Sequence, residues 1–385
     1  MKATADVVVI GGGCMGASVA YHLARRGVTD VVLLEREKLL ATGSTGRNAG
    51  GVRHQFSNES NIRLSIESIA LLERFADEIG SPVDFHQDGY LFLVSAPSSV
   101  ETFRENVALQ RRLGVDTQWL TADEAARLAP GLDVAGVAAA TFCARDGIAD
   151  PNGVTMGFAK RAQADGVAIE RDTEATAIVV DRDRVVAVET ARGRIATPVV
   201  VNAAGPHARA VGRLAGVDVP VDPYRRHIFI AQSGEPRWTV PESHIMVIDF
   251  DTTFYFHREG AGLLFGMGDP REPSTFDTTV RWDFLPEVTE AAVKRLPALA
   301  SASISHAWAG LYEMSPDGNP IIGPVAAVAG LFLINGFSGH GFQHSPAAGR
   351  ILADLVVGRD PGLDLEPFSF ERFSHSAIAG ERYVV

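Results

Sequence analysis

Apolar residues along this chain fall into runs whose period changes from segment to segment, and the changes predict alternating strands and helices. The run VVVI at residues 7–10 has no polar alternation and reads as a strand buried on both faces. GGGCMG follows it, then a helical segment to Arg26, then Gly27 and a second apolar run, VVLLE, ending at Glu35. Together these make a βαβ unit. Residues 36–57 are rich in Gly, Ser, Thr and Asn and carry no period, which predicts a functional loop longer than an ordinary connection. Ile62, Ile66, Ile69, Leu72, Phe75 and Ile79 then recur every three or four residues, the apolar stripe of one helix of about twenty residues that Gly80 stops.

Residues 85–145 mix short strands such as YLFLV with a helical stretch and the segment TADEAARLAPGL, in which Thr121 and Glu124 have capping-box spacing. A helix from Asp150–Pro151 to Ala164 leads into alternating strands around 167–196 and then the apolar strand VVVNAAG, ending at Gly205. Between 216 and 309, YRRHIFIAQ, TTFYFHRE and GLLFGMG predict an antiparallel sheet that residues 85–95 join. The chain closes with a strand, LFLIN, a turn, GFSGHG, and a helix from about Gln343 to Val357. The expected fold class is α/β plus α+β. A Rossmann-like nucleotide-binding domain is assembled from residues 1–80, 145–215 and 310–385, with an antiparallel-sheet substrate domain from 81–144 and 216–309.

A chain of 385 residues with 46% hydrophobic content is long enough for two such domains. Its formal net charge of −12 gives little long-range attraction for phosphate backbones or anionic bilayers, so no nucleic-acid partner is expected. Only Cys14 and Cys143 occur, in no CxxC or Cys/His cluster, which predicts neither a disulfide framework nor a metal site and suits a cytoplasmic location. VVVI is too short, and passes too quickly into glycines, for an export or membrane-spanning segment.

Gly11, Gly13 and Gly16 form GxGxxG, with Cys14 and Met15 between. One glycine suits the tight turn, one the close approach of a pyrophosphate, and one the packing of helix on strand. Glu35, at the end of the next strand, is placed to accept hydrogen bonds from ribose hydroxyls and disfavours a 2′-phosphate. The motif alone does not separate NAD from FAD, since both present an ADP half. The later turns do. Ala203, Ala204 and Gly205 place small residues at a strand end where backbone can approach a flat group. Gly336, Gly339 and Gly341 precede a helix N-terminus whose partial positive charge suits the negative charge of a reduced flavin.

The run TGSTGRNAGGVRHQFSNESNIRL, then VVVNAAGPHA, WAGLYEMSPDGNPIIGP and GFSGHGFQHSPAAG, resembles the D-amino-acid oxidase superfamily of FAD enzymes, and within it the sarcosine oxidase β-subunit and proline dehydrogenase β-subunit group. The resemblance spans nearly the whole chain. It implies cofactor contacts from Gly11, Gly13, Gly16, Glu35 and Arg36 at the ADP end. Ser44, Thr45, Arg47, Asn48 and Gly51 would lie along the pyrophosphate and ring, and Gly339, His340, Gly341, Phe342 and Gln343 near the flavin. Arg53 matches an arginine that binds the substrate carboxylate, a role its bidentate fork suits. Tyr255 and Tyr312 are candidate lining residues of the substrate cavity.

The departures shape the expectation. Gln343 stands where monomeric sarcosine oxidase has a second, lysine cation, and Tyr312 where glycine oxidase has an arginine. Gly310 replaces the cysteine that links flavin covalently, so FAD should be bound non-covalently. Pro151 falls near a histidine that holds a second flavin, which argues against covalent FMN. Leu264 replaces a lysine associated with oxygen activation, so reaction with oxygen should be slow. His54, His340 and His344 invite catalytic roles, but hydride transfer needs alignment more than a strong base, so most of the histidines are expected to be structural or to support residues that touch the ligand. The expected function is FAD-dependent oxidation of a small amine or amino acid to an imine, with oxygen or another carrier as electron acceptor. Oxidation of a 2-hydroxy acid, or a role as a flavin-binding subunit needing partner chains or a homo-oligomer, stays open.

Overall fold

The computed structural model describes residues 1–232, 243–374 and 380–382. The strand Val7–Ile10 runs parallel between Val31–Leu34 and Val200–Asn202, inside a six-stranded sheet. Ala168–Glu170 extends the sheet beyond Val31–Leu34, while Leu331–Asn335 and an antiparallel strand, Ile321–Pro324, extend the other side. All four residues of VVVI are buried. Val7 and Val9 join a core with residues of the helices Cys14–Arg25, Pro151–Ala164 and Gly341–Val356, whereas Val8 and Ile10 join Ile178, Val188 and Ile195 of a three-stranded antiparallel layer. Apolar cover on both faces is why this strand shows no alternation, and each such side chain contributes roughly 1.5–3 kcal/mol on burial.

A second sheet has eight strands, in the order Ser303–Met314, Asp222–Gln232, Gly262–Met267, Phe254–Glu259, Met246–Asp249, Tyr90–Val94, Ala139–Cys143 and Gln118–Leu120. Here the period of two governs everything. Leu91, Leu93, Phe229, Ala231, Val247 and Phe265 pack with Val288 and Ala292 of the helix Leu285–Arg295 on one face. Tyr90, Phe92, Met246, Ile248 and Tyr255 occupy the other. Arg295 pins that helix to the sheet through a buried ion pair with Asp249 at 2.6 Å and a bond to Ser95 Oγ at 2.8 Å. Residues 233–242, within the span expected to form this sheet, lie outside the described residues, as do 375–379 and 383–385 of the last segment.

Several local expectations meet their structure directly. Thr121 and Glu124 make the reciprocal capping box, Asp150 caps the helix Pro151–Ala164, and Gly80 ends its helix in the left-handed conformation at φ 80°. The stripe from Ile62 to Ile79 is not one helix, however. It breaks at Arg74 into Glu59–Glu73 and Phe75–Ile79, and the break sets the Phe75 ring edge-on to Phe158 at 5.0 Å in the core. The aperiodic segment 36–57 contains a single turn of 3₁₀ helix, Ser44–Arg47, and a two-residue strand, Gly51–Val52, paired with Gly147 and Ile148.

Candidate cofactor and substrate site

A cavity of about 680 Å³ runs from the C-terminal end of the first strand to the inner face of the eight-stranded sheet. Its first end is made of backbone. Gly11 has φ +117° and donates to Leu34 O at 2.9 Å, and a Cβ there would stand 2.3 Å from Ala203 O. A Cβ on Gly16 would stand 1.9 Å from Gly11 O, so the helix Cys14–Arg25 seats directly on the turn. No acidic side chain occupies its first turn, which leaves the positive end of the helix to an anion. Glu35 accepts from the Gly12 amide at 2.7 Å and the Glu37 amide at 2.8 Å. Each carboxylate oxygen keeps a lone pair for a ribose hydroxyl.

The loop after Glu35 is tied to the strand Ser303–Met314. Ser44 Oγ donates to Leu311 O at 2.6 Å, Arg47 Nη1 to Ala309 O at 2.9 Å, and Trp308 Nε1 to Arg47 O at 3.0 Å. Thr45 Oγ1 receives the Cys14 amide at 3.1 Å, and Asn48 is spent within the loop, giving Nδ2 to Thr45 O and taking the Gly50 amide. Ser44, Thr45, Arg47 and Asn48 line the cavity while their polar groups shape its wall. Gly310 lies against Arg47, whose Cβ would be 3.0 Å from a Cβ at 310, so the wall has little room for any side chain there.

Two buried polar atoms on this wall lack partners among the described residues: Glu313 Oε2 and Gln343 Nε2. Burial pushes the Glu313 carboxyl up to about 7, against the pull of the Gly336 and Phe337 amides. Gln343 gives its Oε1 to the Arg53 amide at 2.7 Å, and its amide group sits in the first turn of the helix Gly341–Val356. An orphaned acceptor, an orphaned donor and the glycine walls together fit a large polyhydroxylated cofactor with a flat ring. Gly339, at φ +95°, would place a Cβ 2.3 Å from the ring of Tyr312, so the turn passes flush under that tyrosine.

The far end of the cavity is made of side chains. Tyr90, Tyr255 and Tyr312 line it, and each lies over a glycine: a Cβ would stand 1.9 Å from Tyr90 Oη at Gly51, 2.5 Å from Tyr255 Oη at Gly266, and against Tyr312 at Gly339. Burial raises the pKa of all three phenols, which stay protonated. Arg53 shares this end. It donates to Gln55 O and lies over the Phe56 ring, 3.9 Å from its centroid. Its segment is anchored by Asp146, fully buried, which accepts from the His54 amide at 2.8 Å, pairs with His54 Nδ1 at 2.6 Å and takes Gln55 Nε2 at 3.2 Å. Cys143 Sγ, 3.9 Å from His54 Nδ1, completes a possible three-ligand cluster, but burial raises its thiol pKa and keeps it protonated. His340 has Nε2 on Gly318 O at 3.1 Å and Nδ1 on His344 at 3.3 Å, and burial lowers its pKa to about 3, so the ring is neutral. His344 contacts Ser65 Oγ at 2.8 Å.

Cys14, Met15, Glu35, Arg36, Ser44, Thr45, Arg47, Asn48, Gly51, Ala203, Ala204, Gly205, Gly310, Gly339, His340, Gly341, Phe342 and Gln343 all line this one cavity with Gly11 and Gly13, as do Arg53, Tyr255 and Tyr312. Gly16 lies behind the wall, where it supports the turn, and Gly336 of the later turn likewise lies off the cavity, against Val221, Ser315 and Ile321. Sequence reasoning passed over Tyr90, Arg226 and Glu313. The signal was present in the alternation of YLFLV, YRRHIF and LYEM, which assigns one residue in two to the inner face, but which face is inner is decided by the packing.

Comparison with known proteins agrees with this geometry. The DAO model, described as FAD dependent oxidoreductase, matches residues 6–355. The chain is 32% identical to FAD-dependent oxidoreductase domain-containing protein 1 of Xenopus laevis, over 99% of this chain and 85% of that protein. It is 31% identical to mitochondrial dimethylglycine dehydrogenase of Rattus norvegicus, over 94% of this chain but only 44% of that protein, so it spans less than half of that relative's length. Among solved structures, L-proline dehydrogenase from P. horikoshii superposes with a TM-score of 0.89 at 34% identity, covering 97% of this chain and 99% of that one. The chain belongs to the DAO family of FAD-dependent oxidoreductases.

Proposed function

We propose that this protein oxidises a small amine or amino acid, of the sarcosine, proline or glycine type, to the corresponding imine. FAD, held non-covalently by the residues from Gly11 to Gly51, Ala203–Gly205 and the Gly339–Gln343 turn, would supply hydride acceptance at N5. The observation that carries the proposal is the make-up of the far end of the cavity: three protonated tyrosines and arginine side chains, beside a histidine whose two ring nitrogens are engaged. An amine that arrives neutral needs alignment rather than a strong base to lose hydride, and tyrosine walls with an arginine supply alignment. A hydroxy acid would need a base for its hydroxyl proton, and the cavity's carboxyl of raised pKa, Glu313, turns away from the tyrosines toward Gly205 and Gly341. The relatives named for dimethylglycine and proline dehydrogenation support the same class.

A dehydrogenase fits better than an oxidase. Leu264 is buried with Ile228, Ile230, Tyr255 and Trp308, and brings no charge to stabilise a developing superoxide. Turnover with an artificial dye acceptor should therefore exceed turnover with oxygen by at least about tenfold, equivalent to roughly 1.4 kcal/mol in the oxidative step. Buried, unpaired Cys14 and Cys143 support a reducing, cytoplasmic setting. No helix among the described residues is long and apolar enough to cross a membrane. The test is anaerobic mixing of the holoenzyme with secondary amines, amino acids and 2-hydroxy acids while the visible flavin band is followed. Bleaching by amines or amino acids is expected; bleaching by hydroxy acids alone would overturn the proposal.

A further inference from the structure

Glu313 brings to the cavity wall a buried carboxyl that amine oxidation does not use. It follows Tyr312 on the strand Ser303–Met314, so its side chain turns to the other side of the strand and meets two glycines from separate segments. A Cβ at Gly205 would stand 3.3 Å from Glu313 Oε2, and one at Gly341 would stand 3.5 Å from Oε1. The Ser338 amide donates to Glu313 O at 3.0 Å and fixes the root of the side chain beside the Gly336–Gly341 turn. Glu35, at the nucleotide end of the same cavity, spends its oxygens on the Gly12 and Glu37 amides. Glu313 Oε2 is buried without a hydrogen-bond partner among the described residues. A buried polar oxygen left in this way is costly unless a ligand completes it.

No cation stands against this carboxyl. Burial acts on it, opposed by the Gly336 and Phe337 amides, and burial wins, pushing it up to about 7. The elements around it bring only uncharged titratable groups. Cys14 faces it from the helix Cys14–Arg25 with a thiol pushed up to about 11. Burial lowers His340 of the turn to about 3 and His207, after Gly205, to about 4, and Tyr312 on its own strand stays protonated. A pyrophosphate seated at the Gly11–Met15 turn would add negative charge to the same wall and favour the carboxylic acid further. The acid form has a hydrogen to donate and the carboxylate has none. We propose that Glu313 is a cofactor-binding residue that works in its neutral form: it donates a hydrogen bond from Oε2 to an oxygen of the ribityl–pyrophosphate chain of FAD, so the protein takes up FAD together with a proton. The sign follows from linkage. Below pH 7 the apo-protein already carries the proton; above it, binding must recover one, and affinity for FAD falls as pH rises.

The test is calorimetric titration of the apo-protein with FAD in buffers of different ionisation enthalpy, with Kd read in parallel from quenching of flavin fluorescence. Wild-type protein should take up roughly 0.5–0.9 proton per FAD at pH 8 and almost none at pH 6, and its Kd should rise by about tenfold from pH 6.5 to pH 8.5. Glu313→Gln keeps a donor of the same shape without a titrating proton. It should hold FAD at pH 6.5 within about threefold of wild type, lose most of the proton uptake, and show a Kd nearly independent of pH. Wild-type binding without proton uptake at pH 8, or with proton release, would overturn the assignment with no variant needed. Uptake that persists in Glu313→Gln, or a loss of FAD affinity beyond tenfold in that variant at pH 6.5, would overturn it as well. No substrate enters either measurement, so the amine-oxidation proposal stays to be judged by flavin bleaching alone.

Discussion

The two ends of the cavity solve the same problem, holding a small molecule, by opposite means. The nucleotide end is backbone: Gly11, Gly13 and Ala203–Gly205 remove side chains so that strand, turn and helix amides can approach the ligand. The far end is side chains on a sheet: Tyr90, Tyr255, Tyr312 and Arg226 project from four strands, each tyrosine seated over a glycine from another segment. A backbone site tolerates no added atom, because the clash is with a main chain that cannot move. A side-chain site can be rebuilt one residue at a time, so on the proposed function it is where substrate choice would be set.

The largest effect should come from adding one methyl group at the rigid end. Gly11→Ala combines a left-handed φ with a Cβ 2.3 Å from Ala203 O. It should weaken FAD binding by at least ~100-fold, or lower stability by roughly 2–4 kcal/mol where the backbone yields instead. FAD content after purification and a denaturant midpoint measure both. The same methyl group at Gly51 meets Tyr90 Oη at 1.9 Å. Gly51→Ala should therefore cost about 1–3 kcal/mol, and removing the hydroxyl with Tyr90→Phe should return at least ~1 kcal/mol of it in a double-mutant cycle. Additive losses would mean that the two residues do not share the contact.

The smallest effect belongs to Glu313, and its sign is fixed by burial. Its folded carboxyl is raised from 4.5 to about 7, so between those values the unfolded chain ionises first and the apo-protein loses stability as pH rises, with the loss complete above pH 7. His340, lowered to about 3, works in the opposite direction and removes stability as pH falls below 6.5. Only the difference between Glu313→Gln and wild type isolates the carboxyl. The variant's apo-protein Tm should fall less from pH 5 to pH 8, by about 2–4 °C; parallel profiles would show that Glu313 does not titrate in this window.

The contrast also explains what could be read from the chain beforehand. GxGxxG, the acidic residue ending the second strand, and the glycine turns are legible because backbone conformation restricts residue type, and the run VVVI announced a strand covered on both faces. The far end was legible only in part. Tyr255 and Tyr312 could be named as lining residues, but Arg225 and Arg226 are indistinguishable in YRRHIF. Only the register of Asp222–Gln232 against Ser303–Met314, with Arg226 opposite Gly310, turns one to the ion pairs and the other to the cavity. The single stripe from Ile62 to Ile79 misled for a related reason: periodicity reports which face is buried and carries no mark of the break at Arg74.

A crystal structure of the holoenzyme with benzoate tests the division of the cavity most directly. The account predicts the FAD pyrophosphate at the Gly11–Met15 turn, the flavin ring against Gly310 and Gly339–Phe342, and benzoate among the three tyrosines and the arginine side chains of the far end. A flavin ring lodged elsewhere, or a carboxylate bound at the nucleotide end beside Arg36, would contradict it.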